Sequence, residues 1–97
     1  MGTATVEFEV QHEAGLYLRP STLLVKTAGI YEADIRIRNV TRDTPFLSAK
    51  SLLDVVVRLK AAQGHLIELK ADGDDAAEAI EAIRELIDSN FGEQSEA

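Results

Sequence analysis

Three segments of this chain alternate between apolar and polar side chains, at residues 5–10, 34–40 and 66–71. In the first segment Val6 and Phe8 share one face. Side chains two residues apart lie on the same face of a β-strand, so the pattern predicts three strands that each bury one face and expose the other. Antiparallel sheets often consist of such strands. The rest of the chain is therefore expected to cover one side of a sheet.

Two segments with helical spacing lie between these strands. The first is predicted over residues 20–30, with Pro20 at the first helical position, where the missing N–H of proline is tolerated. The second opens at Ser51 as N-cap, and Asp54 three residues later forms a weak capping box with it. This second helix is apolar on most sides, so it is expected to be largely buried or to lie under a partner.

A third helix follows the last strand. A turn is predicted at residues 72–73, and Asp74 or Asp75 then caps the helix, with acidic groups at its positive end. Asn90 and Gly92 end it.

A hairpin turn over residues 39–44 leads to a short additional strand at 46–48. The element order β-α-β-β-α-β-α predicts a single α/β (α+β) domain over residues 1–97, with an ordered core of about 4–91 and a frayed tail from 93. We expect a four-stranded antiparallel sheet with three helices on one face, an open-faced β-sandwich.

Composition narrows the classes of partner. The net charge is −7, so the phosphate backbones of nucleic acids are repelled. No apolar run approaches the roughly 20 residues that a membrane helix needs. The chain has no cysteine, and its two histidines, His12 and His65, lack the acidic-cluster spacing of a metal site. We therefore predict no nucleic acid, no membrane insertion, no metal, no cofactor and a cytoplasmic location.

The segment 15–22 reads Gly-Leu-Tyr-Leu-Arg-Pro-Ser-Thr and opens the first helix. Unpaired backbone N–H groups and the helix dipole favour an anion at such a position. The N–H groups of Leu18 and Arg19 are the candidate anion donors, and the Arg19 guanidinium suits a phosphoryl group. A solvated arginine at a helix start is the alternative interpretation.

This segment resembles the Gly-Leu-His-Ala-Arg-Pro loop of the HPr family, the phosphocarriers of the bacterial phosphoenolpyruvate-dependent sugar phosphotransferase system. The sequence Ala-Lys-Ser-Leu-Leu at 49–53 is similar to that family's regulatory serine region. The resemblance covers nearly the whole chain. It implies the open-faced sandwich, and it implies protein partners that are enzyme I-like, enzyme II-like or regulatory.

Tyr17 stands where the resemblance places the phosphoacceptor histidine. A phenol has an ordinary pKa of about 10, so about one molecule in a thousand is ionised at neutral pH, and a tyrosine ester is a poor phosphoryl donor. Ala14 also replaces a residue that is frequently polar in the family. Tyr17 is interpreted as a half-exposed aromatic that packs on a partner or on the helix, with phosphotyrosine as a smaller alternative. A displaced acceptor at His12 is disfavoured, because this residue is expected at the strand end without a helix N-terminus behind it.

The resemblance also gives Ser51 a second role as a regulatory phosphorylation site, beside its role as a helix cap. It places partner docking on the first two helices and the loop before them. The predicted docking residues are Tyr17, Leu18, Thr22, Lys26, Leu52, Leu53 and Val56. The alternative is that the aliphatic members of this set belong to the core.

Three functions remain open on the sequence. The first is a regulatory or adaptor protein that has lost histidine phosphorylation because of Tyr17. The second is a phosphocarrier between enzyme I and enzyme II components, at most a phosphoryl carrier rather than a catalyst. The third is an interaction domain of a larger protein.

Overall fold

The computed structural model describes residues 2–92 of the chain. Four strands and three helices follow one another in the predicted order. Their bounds are β1 Gly2–Glu9, α1 Leu18–Gly29, β2 Asp34–Asn39, β3 Leu47–Ser48, α2 Asp54–Arg58, β4 Leu66–Gly73 and α3 Ala76–Asp88.

All four strands form one antiparallel sheet in the order β1-β4-β2-β3. In its register Leu69 lies opposite Val6 on one side and Ile37 on the other, so the apolar faces of three strands form one continuous layer. The predicted sheet is confirmed, and the period-two pattern explains it, because a slip of one residue would expose this whole layer.

Helices α1 and α3 pack against each other, and α3 covers β1 and β4. Burying an aliphatic side chain of this kind stabilises the fold by about 1.5–3 kcal/mol relative to leaving it exposed. The largest apolar side chains that are fully buried are Leu24, Ile35, Ile37, Val55, Leu59, Ile67, Leu69 and Ile83.

Two predicted boundaries were wrong. Helix α1 begins at Leu18 rather than at Pro20, so Pro20 is the third helical residue. Proline is tolerated there too, since the N–H groups of the first turn have no partner within the helix. The turn predicted at residues 72–73 is instead the end of β4, where Gly73 pairs with Gly2.

Asp75 is the N-cap residue of α3, but its side chain does not cap that helix. Its carboxylate accepts hydrogen bonds from the backbone N–H groups of Glu32 and Ala33, both at 2.9 Å. These bonds hold the pKa of Asp75 below its ordinary value, the Glu32 N–H contributing most. The predicted position was therefore right, while the side chain ties α3 to the loop before β2.

Candidate functional site

The loop that leads from β1 into α1 is positioned by its glycine. Gly15 has φ +74°, and a Cβ atom at this position would lie 2.3 Å from the carbonyl oxygen of Ala61. Only glycine fits such a close backbone approach. The next residue, Leu16, donates its N–H to that same oxygen at 3.0 Å. The loop is thereby fastened to the segment before β4.

A buried contact fastens the other end of the loop. The Leu16 side chain is buried, and its carbonyl oxygen accepts a hydrogen bond from Ser21 Oγ at 2.8 Å. Ser21 N–H donates to the Tyr17 carbonyl oxygen at 3.0 Å, which closes the first helical turn. The start of α1 is therefore held by groups of its own loop and needs no side-chain cap at Tyr17.

Tyr17 is the N-cap residue of α1 and has an extended backbone. Leu18 and Arg19 follow as the first two helical residues, and their N–H groups belong to the set that a helix leaves without an internal partner. Both side chains are exposed. The geometry thus brings together the residues predicted for an anion site, Leu18 and Arg19, at the positive end of the α1 dipole.

His12 lies beside this helix start. Its ring centroid is 4.9 Å from that of Tyr17. His12 Nδ1 accepts a hydrogen bond from the Ala14 N–H at 2.9 Å, so in the neutral ring the proton lies on Nε2. The sequence interpretation placed His12 away from the helix N-terminus, and the structure corrects this, because the loop turns back through the Gly15 N–H to His12 carbonyl bond of 2.9 Å.

A shallow groove of about 700 Å³ runs along α1 beside the loop. Arg19 and Lys26 give it two cations in a chain of net charge −7. Its walls contain four predicted docking residues, the predicted anion-binding residue Arg19, and three residues that were not predicted for a site, Leu23, Phe91 and Gly92. The lining residues are Tyr17, Leu18, Arg19, Thr22, Leu23, Lys26, Phe91 and Gly92.

Helix α2, which packs against α1, exposes apolar side chains of its own segment. Leu52 is 39% exposed, and Leu53 and Val57 are each 53% exposed, whereas Val55 and Leu59 are fully buried. Leu18 on α1 is 60% exposed. Part of the predicted docking set is thus exposed while other aliphatic residues of the same short helix form the core.

Val56, a predicted docking residue, is half-buried, whereas its neighbour Val57, which was not predicted, is exposed. Val55 and Leu59 mark the buried face of this segment, and 3.6 residues per turn place Val57 on the opposite side. The sequence did not show which members of the apolar run 52–59 face the core, so Val56 was chosen instead of Val57. α2 itself has π-type spacing, in which the Leu59 N–H bonds the Asp54 carbonyl oxygen five residues back at 2.8 Å.

Ser51 directly precedes the helical residues 52–53, which lead into α2. Its Oγ accepts a hydrogen bond from the Asp54 N–H at 3.2 Å, the geometry of an N-cap. The Asp54 carboxylate does not return to Ser51 and instead accepts from the Ser48 N–H at 3.1 Å and from Arg58 Nη1 at 2.6 Å. The Arg58 hydrogen bond is the main cause that lowers the pKa of Asp54. The predicted capping box is therefore present in one half only.

His65 is half-buried, and its ring takes part in a hydrogen-bond network with Asn39 and the backbone. Its Nδ1 accepts from the Ala62 N–H at 3.1 Å and lies 3.0 Å from Asn39 Nδ2. Asn39 is fully buried and also donates to the Leu59 carbonyl oxygen. An isolated asparagine in a strand pattern carries no signal for such a network, so the sequence did not predict it.

Two absences hold for the described part of the chain. Residues 2–92 contain no group of three or more His, Cys, Asp or Glu side chains arranged to hold a metal ion. Over the same residues no helix has the length and apolar character required to cross a bilayer.

Comparison with known proteins gives consistent matches. A family profile described as the PTS HPr component phosphorylation site matches residues 4–89. A multiphosphoryl transfer protein of Haemophilus influenzae is 36% identical over 96 residues, which are 99% of this chain and 19% of that protein. The phosphocarrier protein HPr of Neisseria meningitidis serogroup A is 35% identical over 85 residues, 88% of this chain and 91% of that protein.

Among solved structures, that of HPr-C-His from Thermoanaerobacter tengcongensis superposes with a TM-score of 0.84 at 36% identity. The match covers 95% of this chain and 99% of the other. The chain spans about a fifth of the length of the multiphosphoryl transfer protein and most of the length of the Neisseria phosphocarrier.

Proposed function

This chain belongs to the HPr family of the phosphotransferase system, and on that premise we propose that it is a regulatory or adaptor protein that docks on partner proteins and has lost the histidine phosphorelay. Tyr17 carries the proposal: it is the N-cap residue of α1, and the resemblance of the loop sequence aligns it with the family's phosphoacceptor histidine. The Gly15 turn, Arg19 and the start of α1, where a helix leaves its first N–H groups without an internal partner, are all present around it.

The chemistry at this position favours docking over transfer. A phosphoryl acceptor must be nucleophilic at working pH. The unprotonated nitrogen of a neutral imidazole is a good nucleophile, whereas the oxygen of a protonated phenol is a weak one. A half-buried tyrosine among exposed apolar neighbours is a common constituent of protein interfaces, because its ring supplies contact area and its hydroxyl a polar end. Here Leu18 lies beside Tyr17 in the groove, and Leu52 and Leu53 are exposed at the start of α2, which packs against α1.

A phosphotransfer assay tests the loss of the relay. The native chain is incubated with purified enzyme I and labelled phosphoenolpyruvate, beside Tyr17→His. We expect no acid-labile label on the native chain and measurable label on Tyr17→His, since Arg19 and the helix N-terminus already stand where the phosphoryl charge would form. Label on the native chain that matches Tyr17→His in rate and extent would contradict the proposal.

The second candidate is a phosphocarrier that uses His12, and it is favoured by one observation, the 4.9 Å contact between the His12 and Tyr17 rings. Its difficulty is that the His12 Nδ1 lone pair is engaged by the Ala14 N–H. The same assay separates the two candidates. A carrier of this kind would label in the native chain and in Tyr17→Phe and would lose the label in His12→Ala.

Docking is tested with two exposed aliphatic residues. Leu53 lies directly before α2, whereas Ile30 lies just beyond α1, at the opposite end of that helix from Tyr17. We expect Leu53→Asp to weaken binding of enzyme I or another phosphotransferase component by about tenfold or more, and Ile30→Asp to change it by less than about twofold. Titration calorimetry gives both values. Equal effects of the two substitutions would exclude docking through α2.

Ser51 completes the proposal as a regulatory site. A phosphate on its Oγ would add about two negative charges at the helix start, next to the exposed Leu52 and Leu53. Modification there would change the surface that docks. A serine kinase of the family's own phosphotransferase system is the expected agent, and phosphopeptide mass spectrometry after incubation with it tests the assignment.

A further inference from the structure

A cavity of about 340 Å³ lies between the end of β1, the loop before α1 and the end of α3. It is distinct from the groove along α1, although Phe91 lines both. Its volume lies in the range of pockets that hold small molecules, about 300–1,000 Å³. Neither the proposed docking nor the proposed phosphorylation of Ser51 uses this cavity.

The buried part of the lining is apolar. Its members are Phe8, Val10, Leu16, Pro20 and Phe91. The ring centroids of Phe8 and Phe91 are 5.6 Å apart, and the two rings are inclined by 60°. An apolar ligand body that contacts these side chains is removed from water, and aromatic ring faces also attract a cation.

The exposed part of the lining is negative. Glu9 on β1 and Asp88 at the end of α3 both line the cavity, and the described part of the chain contributes neither lysine nor arginine to it. The negative end of the α3 dipole lies at Asp88 as well. The remaining exposed members, Gln11, His12 and Asn90, are polar. The cavity therefore favours a cation over an anion, and the net charge of −7 acts in the same direction.

The backbone is strained at the residue that forms one wall of the cavity. Asn90 and Phe91 have φ +55° and +57°. Asparagine is found in this left-handed conformation just after helices, whereas a bulky aromatic residue there is an outlier. Phe91 is held in it by its N–H, which donates to the Leu86 carbonyl oxygen at 2.7 Å, and by its ring contact with Phe8. Such strain in non-glycine residues is concentrated at functional sites, ligand sites among them.

We propose that this cavity binds a small organic ammonium ion, a protonated primary amine attached to an aromatic or branched aliphatic body. The body packs against Phe8, Leu16 and Phe91, and the ammonium group lies at the rim, where the Glu9 and Asp88 carboxylates offset its charge. A neutral ligand of the same shape lacks this ionic contribution, and a carboxylate ligand is repelled. Because Phe91 also lines the groove along α1, the bound ligand touches a wall of the proposed docking surface.

Titration with three ligands of similar size tests the charge selection. The probe is phenethylammonium, and phenethyl alcohol and phenylacetate are its neutral and anionic counterparts. We expect the probe to bind with a Kd of about 1 mM or tighter, in keeping with its few non-hydrogen atoms. Phenethyl alcohol is expected to bind at least about threefold more weakly than the probe, and phenylacetate at least about tenfold more weakly. Nuclear magnetic resonance of the isotope-labelled chain gives these values, and the shifts should centre on the amides of Val10, Gln11 and His12.

A paired set of charge variants tests the position of the ammonium group. Glu9→Gln combined with Asp88→Asn removes the two carboxylates of the lining. The matched control, Glu7→Gln combined with Asp43→Asn, removes the same number of charges outside the cavity. All four residues are exposed, so both double variants are expected to remain folded. We expect the cavity pair to weaken binding of phenethylammonium at least about fivefold and the control pair to weaken it less than about twofold.

Equal effects of the two double variants, or equal affinity for phenethylammonium and phenylacetate, would overturn the proposal. Saturable shifts that centre on the groove along α1 instead of the cavity would overturn it too. The same holds if the probe shows no saturation up to about 20 mM.

Discussion

At the scale of single residues, the Oγ of Ser51 is both the acceptor that caps α2 and the atom on which we propose phosphorylation. Its Oγ accepts the Asp54 N–H, so it stabilises the start of α2 in the unmodified protein. A phosphate on that oxygen would remain close to the unpaired N–H groups of the first turn and would favour the positive end of the helix. The proposed phosphorylation is therefore compatible with the position of Ser51 at the start of α2.

Two substitutions measure the cap. Ser51→Ala removes the acceptor of the Asp54 N–H, so we expect the free energy of unfolding to fall by about 1 kcal/mol. Ser51→Asp keeps an acceptor and suits the helix dipole, so it is expected to retain most of that stability. Urea unfolding followed by circular dichroism gives both values. If Ser51→Asp is as unstable as Ser51→Ala, Ser51 does not act as the cap.

At the scale of elements, the turn before α1 depends on one backbone position. Gly15 combines a left-handed φ with a carbonyl oxygen where a Cβ atom would be, whereas Gly29 at the end of α1 has open space around it. We expect Gly15→Ala to lower the unfolding free energy by at least about 2 kcal/mol through backbone strain and overlap. Gly29→Ala is expected to be neutral or to stabilise α1 by up to about 1 kcal/mol.

The two variants differ only in where a methyl group is added. The difference between their thermal unfolding stabilities therefore reports the contribution of the Gly15 turn. The loop amides of Gly15→Ala should also shift in nuclear magnetic resonance spectra, while those of Gly29→Ala stay in place. A Gly15→Ala protein as stable as the wild type would mean that the Gly15 turn does not fasten the loop to the Ala61 carbonyl.

The sequence was informative about elements because their patterns are local. Alternation located β1, β2 and β4 within a few residues, since a half-buried strand needs it. The start of α1 was missed by two residues, because Pro20 is compatible with several first-turn positions. The exposure of Val57 was missed because the run 52–59 is apolar on most sides, so its pattern does not show which face is buried. The ring contact of His12 with Tyr17 was missed because it depends on the path of the loop, which no local pattern specifies.

At the scale of the whole molecule, distant segments are joined by a few polar contacts around the apolar core. Asn39 links the end of β2 to the segment after α2, where it donates to the Leu59 carbonyl oxygen. Asp75 links the start of α3 to the loop before β2, across 43 and 42 positions in sequence. Lys50 adds to this region by donating to the Tyr31 carbonyl oxygen at 2.6 Å and by lowering the pKa of Asp75 through its charge.

The Asp75 contact makes the stability of the whole domain depend on pH. The Glu32 and Ala33 N–H groups lower the pKa of Asp75 in the folded state below its ordinary value of 3.8. A carboxylate with a lowered folded pKa contributes stability above its unfolded pKa, and this contribution disappears as the pH falls through the folded value.

Asp75→Asn keeps one acceptor oxygen but presents an amide to the second N–H group. We therefore expect it to be less stable than the wild type at neutral pH, by an amount that shrinks below about pH 4. Urea midpoints measured at about pH 7, 4 and 2.5 test this, with Asp88→Asn at the exposed end of α3 as the matched control that should show no such loss at neutral pH. A difference between wild type and Asp75→Asn that is constant across this range would mean that the charge of Asp75 does not stabilise the link between α3 and the loop before β2.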